Sequence, residues 1–355
     1  MEKLRWGIIG AADIAKQNWR AIYDSGNSVV TAVASRSMQQ CEQFIAACQI
    51  KNKFDVLPKA YNKYEQLIDA PDIDAVYIPL PTGLRKEWVL RAAEAGKHVL
   101  CEKPCGGHLT DVQEMVDTCR QHHVQFMDGV MFMHNPRLQR VREVLNDGQS
   151  IGHIKRISTM FSFCAPEEYQ RSNIRLHSEL EPTGCLGDLG WYDIRFSLWA
   201  LQWQVPSAVS GRILSQRGSD SSPAPTPTDF SGELFFRDET TAGFFCSFLT
   251  APQQWCIVSG TKGNLTIPDF VHPTNIHEPS FAVNNSEVRV KCCDCTSGHS
   301  DSRLQAQDTL MIRNFVNQIR SGQWNEEWPK MALLTQRVMD ACFESAKNDG
   351  TLIVL

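Results

Sequence analysis

The sequence predicts an α/β protein: a doubly wound parallel sheet at the N-terminus, then an α+β part with mainly antiparallel strands. Three observations predict it. Apolar strand patterns alternate with helical patterns to about residue 127, which implies parallel strands joined by right-handed crossovers. A glycine turn follows the first strand. Beyond about residue 150 the apolar residues alternate with polar ones, the period of an antiparallel sheet with one buried face.

Taken in order, Leu4–Ile9 is the first strand and Gly10-Ala11-Ala12-Asp13-Ile14-Ala15 turns from it into a helix. Ser28–Ala34 is the second strand, and Val56–Tyr61 and Asp74–Leu80 are the next two, with a short helix from Tyr64 to Ile68 between them. Trp88, Ala92 and Ala95 mark one face of a helix that Gly96 ends. Val99–Cys101 is a strand closed by Glu102-Lys103-Pro104, since proline cannot donate to a ladder. Asp111–His122 is amphipathic and Gln125–Met131 is another strand; Asn135 and Pro136 then supply an N-cap and first position for a helix. These patterns place one domain at 1–127 and a second at 128–355. In the second, Ile154–Phe163, Val205–Leu214, Phe230–Phe236, Ala242–Leu249, Trp255–Gly260 and Asn264–Ile267 read as strands. Asp188–Leu201, Gln307–Arg320 and Met331–Lys347 read as helices, and Ser219–Thr228 as a proline-rich loop or hairpin tip.

Composition narrows the function. The 355 residues carry a net charge of −5, so no basic field invites nucleic acid. No run of ~18 apolar residues suggests a membrane span. Glu2, Lys3 and Arg5 lead straight into a strand rather than a signal peptide, which predicts a cytoplasmic protein. The 13 cysteines are then expected to be reduced and mostly buried. Cys292, Cys293 and Cys295, with His299 nearby, are too cramped for the paired spacing of a zinc site, and no metal is expected.

The chemistry-bearing residues fall into four groups. Gly10-x-Ala12-x-x-Ala15 is a degenerate dinucleotide fingerprint: a tight turn, a backbone approach to pyrophosphate, and a small residue for helix–strand packing. The helix that follows offers free N–H groups to phosphate. An ordinary strand–turn–helix reads the same way. The second strand ends in Ser35-Arg36 and no acid; a hydroxyl and a guanidinium suit a 2′-phosphate, so NADP is expected, with NAD the alternative. Ser35 or Ser37 as a helix cap fits either cofactor. Lys103 stands at the carboxyl end of its strand, where open α/β sheets bind ligands; taken alone, Glu-Lys-Pro reads as a surface lysine closing a strand, and the neighbouring motifs lift it above that. Finally, Gly184, Gly187 and Gly190 break the backbone around Asp188 and Tyr192. Four apart on a helix, those two share a face, where carboxylate and phenol can grip a diol and move a proton. A phenol does so only if a cation lowers its pKa from ~10, and Lys103 is the candidate. The alternative makes Asp188 a cap and Tyr192 a core residue.

The segments Gly7–Ala15, Ala95–Pro104, Gly187–Tyr192 and Gly260–Phe270 appear in this order. Together they resemble the glucose–fructose oxidoreductase/inositol dehydrogenase (Gfo/Idh/MocA) family across essentially the whole chain, in the tyrosine-type branch similar to dihydrodiol and xylose dehydrogenases. The resemblance implies a Rossmann domain followed by a domain with a large open sheet. It also implies a homodimer or higher oligomer paired through that sheet, and a carbohydrate or polyol substrate. It places cofactor contacts at Gly10, Ala12, Asp13, Ile14, Ser35, Arg36, Pro79, Leu80, Pro81, Glu102 and Lys103. Catalytic roles fall on Lys103, Tyr192 and Asp188, and substrate contacts on His134, Arg175 and Asp188. Two positions depart from the pattern: Ala12 replaces the second glycine, and Arg85 replaces the histidine of a common N-x-x-H motif. The implied reaction is hydride transfer between nicotinamide and a hydroxyl or keto carbon of a sugar, polyol or related cyclic alcohol. A redox-cycling glycoside hydrolase that retains NAD and a non-catalytic nucleotide sensor are the alternatives. The substrate, the direction of the reaction and the oligomer size are not written in the sequence.

Overall fold

The structure, a computed structural model, describes residues 2–291 and 306–355. The Cys292, Cys293, Cys295 and His299 run lies outside the described residues. The chain divides into two compact units, the first including 306–332 as well as most of the N-terminal 134 residues.

In the first unit, six parallel strands lie in the order β3-β2-β1-β4-β5-β6. They are β1 (Leu4–Ile9), β2 (Ser28–Ala34), β3 (Lys59–Tyr61), β4 (Ala75–Ile78), β5 (His98–Cys101) and β6 (Phe126–Asp128). Helices α1 (Asp13–Ser25), α2 (Met38–Lys51), α3 (Tyr64–Ile68), α4 (Thr82–Glu94) and α5 (Leu109–Gln121) alternate with them. Strand order reverses at β1, so the crevice at its carboxyl end is the ligand site of a doubly wound sheet. Val76, Tyr77, Leu100 and Cys101 are wholly buried, as central strands covered on both faces must be.

Strands β3, β4 and β6 are shorter than the apolar runs suggested. Val56 and Leu57 stay exposed outside β3. Gln125 and Met131 flank β6, with Met131–His134 forming a 3₁₀ turn. On α4 the buried face is Arg85, Val89, Ala92 and Ala93; of the expected Trp88, Ala92 and Ala95, only Ala92 lies on it. Trp88 instead stacks edge-on to Tyr64 at 4.8 Å. Between the two candidate caps, Ser37 takes the role, its Oγ accepting from Gln40 N at 3.4 Å. Helix α9 (Gln307–Ser321) returns to this unit; Phe315 lies 5.5 Å from Trp6, and Gln17 donates to Asp308 at 2.7 Å.

Histidine 98, at the start of β5, accepts from Gln125 N through Nδ1 at 2.9 Å. Burial holds its pKa below the ordinary histidine value, partly opposed by Asp74. The folded state therefore binds its proton less readily than the unfolded chain. Its contribution is complete above the unfolded value of about 6.5 and is lost as pH falls toward the folded value. The urea midpoint is expected to drop between pH 7.5 and 5, and to drop less in His98→Gln. Equal drops in the two proteins would assign the effect elsewhere.

The second unit holds a nine-stranded sheet, ordered β14-β13-β12-β11-β7-β10-β9-β8-β15. Its strands are β7 (Ile154–Cys164), β8 (Ala208–Arg217), β9 (Thr226–Phe235), β10 (Thr241–Ser247), β11 (Leu249–Gly260), β12 (Asn264–Ile267), β13 (Ser280–Val283), β14 (Ser286–Arg289) and β15 (Ile353–Val354). Its one parallel pair is β10 with β7; the other neighbours are antiparallel. Helices α6 (Arg137–Asn146), α7 (Glu167–Ser172), α8 (Trp191–Ala200) and α10 (Glu327–Lys347) complete the chain, α10 starting in the first unit and continuing into the second. Helix α6 begins one residue after Pro136, yet Asn135 still caps it: its Oδ1 accepts from Arg137 N at 2.9 Å. Strand β9 begins at Thr226, so only the front of the Ser219–Thr228 run is the hairpin connection. The small elements β13, β14, β15 and α7 carry patterns too short to read.

Candidate active site

Within the first unit, the expected cofactor contacts gather at the carboxyl ends of β1, β2, β4 and β5. Gly10 has φ +114, which favours glycine, and a Cβ there would stand 3.0 Å from Leu80 Cδ2. Helix α1 starts after Ala12 without a side-chain cap, and Asp13 and the 40 % exposed Ile14 occupy its first turn. Its first N–H groups are the kind that meet phosphate. At the end of β2, Ser35 is buried and its N–H donates to Tyr61 O at 3.0 Å, while Arg36 is exposed. Pro79 and Leu80 follow β4, and Pro81 precedes the first residue of α4.

Glu102 and Lys103 follow β5. Glu102 is buried; its Oε1 accepts from Tyr77 Oη at 2.6 Å and its Oε2 from Lys103 N at 3.2 Å. Asn18 of α1 donates to the same Tyr77 oxygen at 2.8 Å. Burial first, and then the Glu102 carboxylate, hold the Tyr77 phenol far above the ordinary tyrosine range. Tyr77 thus stays a neutral donor and fixes Glu102 under the Lys103 turn. Sequence reasoning passed over Tyr77 and Asn18; the signal was a lone hydroxyl in an apolar central strand, which needs a buried partner. His134 belongs to this unit too. Its Nδ1 is 3.1 Å from Asn314 Nδ2 and its ring is 6.2 Å from Trp328.

In the second unit, Asp188 and Tyr192 do not sit on one continuous α-helix. Leu186–Gly190 is a π-helical turn and α8 begins at Trp191. The four-residue face rule of an α-helix therefore does not carry over unchanged; such π turns recur at functional sites. Gly184 enters the segment at φ +50, with Pro227 O only 2.2 Å from where a Cβ would be. Arg175, one of the expected substrate contacts, pairs with Asp188: Nε to Oδ2 is 2.6 Å. The Asp188 carboxylate is the main reason its guanidinium is held above the ordinary arginine value. Tyr169 lies in the same field, its phenol pushed up by burial and then by Asp188. Tyr192 packs edge-on to Phe161 at 5.6 Å, and Phe161 meets His272 at 6.2 Å. Phe163 stands on Tyr169 at 5.6 Å. This aromatic row on β7 escaped the sequence reading, since alternating Phe residues on a strand look like core. Lys103 belongs to the first unit, and Asp188, Tyr192 and Arg175 to the second.

Residues 4–130 match the model of an oxidoreductase family with an NAD-binding Rossmann fold (GFO_IDH_MocA), and residues 138–266 match the GFO/IDH/MocA C-terminal domain. The chain belongs to the Gfo/Idh/MocA family. It is accordingly an NAD(P)-binding oxidoreductase. Trans-1,2-dihydrobenzene-1,2-diol dehydrogenase from Mus musculus is 32 % identical over 77 % of both chains. D-xylose 1-dehydrogenase (NADP(+)) 2 from Haloferax volcanii is 28 % identical over 98 % of this chain and 99 % of its own. The crystal structure of KijD10, a 3-ketoreductase from Actinomadura kijaniata in complex with NADP and TDP-benzene, superposes with a TM-score of 0.79. It covers 97 % of this chain and 98 % of its own at 23 % identity, a likeness of fold. Among the described residues no helix is long and apolar enough to cross a membrane, and no group of three or more potential ligands is placed to hold a metal.

Proposed function

We propose that the protein is an NADP-linked dehydrogenase or reductase acting on a hydroxyl or keto carbon of a sugar, polyol or related cyclic alcohol. The observation that carries the reading is Lys103 at the carboxyl end of β5, on the same sheet edge as the Gly10 turn. Family membership supplies the frame, and relatives named for xylose and dihydrodiol oxidation support the substrate class.

The residues fit the cofactor: the Gly10 turn and the uncapped α1 N-terminus suit pyrophosphate, and Ser35 with Arg36 suits a 2′-phosphate. NADP, when bound, supplies the hydride donor or acceptor. Tyr192 carries the hydroxyl proton. Lys103 stabilises the phenolate and the developing alkoxide by its charge. Asp188, itself held by Arg175, orients the substrate hydroxyl. A positioned acid/base group of this kind is worth roughly 10²–10⁴-fold in rate. We place the protein in the cytoplasm as a homodimer or higher oligomer paired through the open sheet. The half-buried Asp229, Ser231, Glu233 and Phe235, alternating along β9, support a face available to a second copy.

The testing experiment is a screen of sugars, polyols and keto-sugars with NADP(H) and NAD(H), read by absorbance of the reduced nicotinamide. Net turnover on at least one such substrate is expected; binding without turnover of any would favour a sensor. Cofactor choice has its own test. NADP is expected to bind more tightly than NAD, and Arg36→Ala to erase most of the difference. A charge-assisted contact of about 1.5–3 kcal/mol corresponds to roughly 10–150-fold in affinity. Titration of both cofactors measures it, and equal affinities in the unmodified protein would count against it.

A further inference from the structure

Arg85 stands where many family members carry histidine, and its surroundings are not those of a ligand-binding side chain. It is 5 % exposed, in the first turn and a half of α4. Its Nε donates to Leu80 O at 2.6 Å, and its Nη1 donates to Thr82 Oγ1 at 3.1 Å and to Pro104 O. Leu80 and Pro104 belong to two different turns: the first follows β4 and packs against Gly10, and the second follows β5 and contains Lys103. One guanidinium therefore joins the two turns. A cation near a helix N-terminus opposes the helix dipole, so the site is held by acceptors specific to it. Arg85 charge also reaches the buried Tyr77–Glu102 pair beneath the Lys103 turn, where it opposes the rise in the Tyr77 pKa. Histidine has two ring nitrogens, only one of them a donor when neutral, and cannot reproduce a planar fork aimed at two carbonyls.

We propose that Arg85 is a positioning residue: it locks the Pro79–Pro81 turn to the Lys103–Pro104 turn, so that the cofactor meets a preformed surface. The inference rests on the reading of these turns as the nicotinamide cofactor site. Its test is titration of NADPH, or of NADH if the unmodified protein prefers it, followed by cofactor fluorescence. Arg85→Ala is expected to weaken binding by about tenfold or more, the scale of a lost charge-assisted contact. Millimolar guanidinium is expected to restore most of the affinity, and methylammonium, which has the charge without the fork, is not. Amide exchange is expected to rise in both turns and not in β2. Unchanged affinity in folded Arg85→Ala, or equal rescue by methylammonium, overturns the proposal. Should Arg85→Ala not fold, Thr82→Val removes one acceptor while keeping the shape of the side chain; a several-fold loss supports the strut and unchanged affinity overturns it. An unmodified protein that binds neither cofactor refutes the reading of the site, whereas tight binding unaffected by either variant refutes the role of Arg85 alone.

Discussion

Tyr192→Phe is expected to lower kcat by roughly 10²-fold or more while cofactor binding survives. The substitution removes one oxygen and keeps the ring, so the edge-on packing against Phe161 at 5.6 Å is preserved. Cofactor affinity serves as the folding control, because its expected contacts lie in the other unit. Lys103→Met is expected to cost a comparable factor. The double variant should lose little beyond the worse single one, since groups that act as a unit are not additive. The measurement is kcat for the three variants under conditions where chemistry limits the rate. Near-full kcat in Tyr192→Phe would show that the phenol is not the proton carrier.

The largest stability effect is expected from Arg137→Ala. Arg137 is 1 % exposed, and its Nη1 lies 2.6 Å from Asp269 Oδ1. The same guanidinium donates to Ser280 O at 3.1 Å, Asp269 O at 2.9 Å and Phe270 O at 3.4 Å. It thereby fastens the start of α6 to the chain between β12 and β13. Truncation leaves a mostly buried carboxylate and several carbonyls without their donor. Removing one partner of a buried ion pair typically costs about 3–5 kcal/mol. Urea denaturation measures it. Asp269→Asn in the Arg137→Ala background should recover part of the loss, because the stranded charge is gone. A loss under about 1 kcal/mol in the single variant would mean that the pair is solvated in practice.

Much of the fold was legible because period and punctuation agreed. β1, β2 and β12 ran between the residues their patterns marked, and Gly96, at positive φ, closed α4 as its pattern indicated. The helix faces were less legible. On α4 the buried position was a charged one, Arg85, which a hydrophobicity pattern cannot choose. Its burial depends on Pro104, 19 residues away in sequence. The Asp188–Tyr192 segment was located correctly by its glycines, but its π turn was not, since the register of a helical hydrogen bond leaves no trace in residue spacing. Arg175 meets Asp188 across the intervening 3₁₀ turn and loop, a pairing between residues with no local pattern to announce it. Nor does a sequence show which of two nearby serines turns inward: Ser37 caps α2 and Ser35 is buried at the end of β2.

Isotope transfer tests the central chemistry most directly. A substrate from the screen, deuterated at the carbon that bears the reacting hydroxyl, is incubated with the protein and NADP, and the reduced cofactor is analysed by mass spectrometry. The deuterium is expected on the nicotinamide ring, in one equivalent per oxidised substrate, with the reduced cofactor accumulating. Label that returns to the substrate or washes into water, with no accumulated reduced cofactor, would contradict a dehydrogenase and point to redox cycling on a retained cofactor.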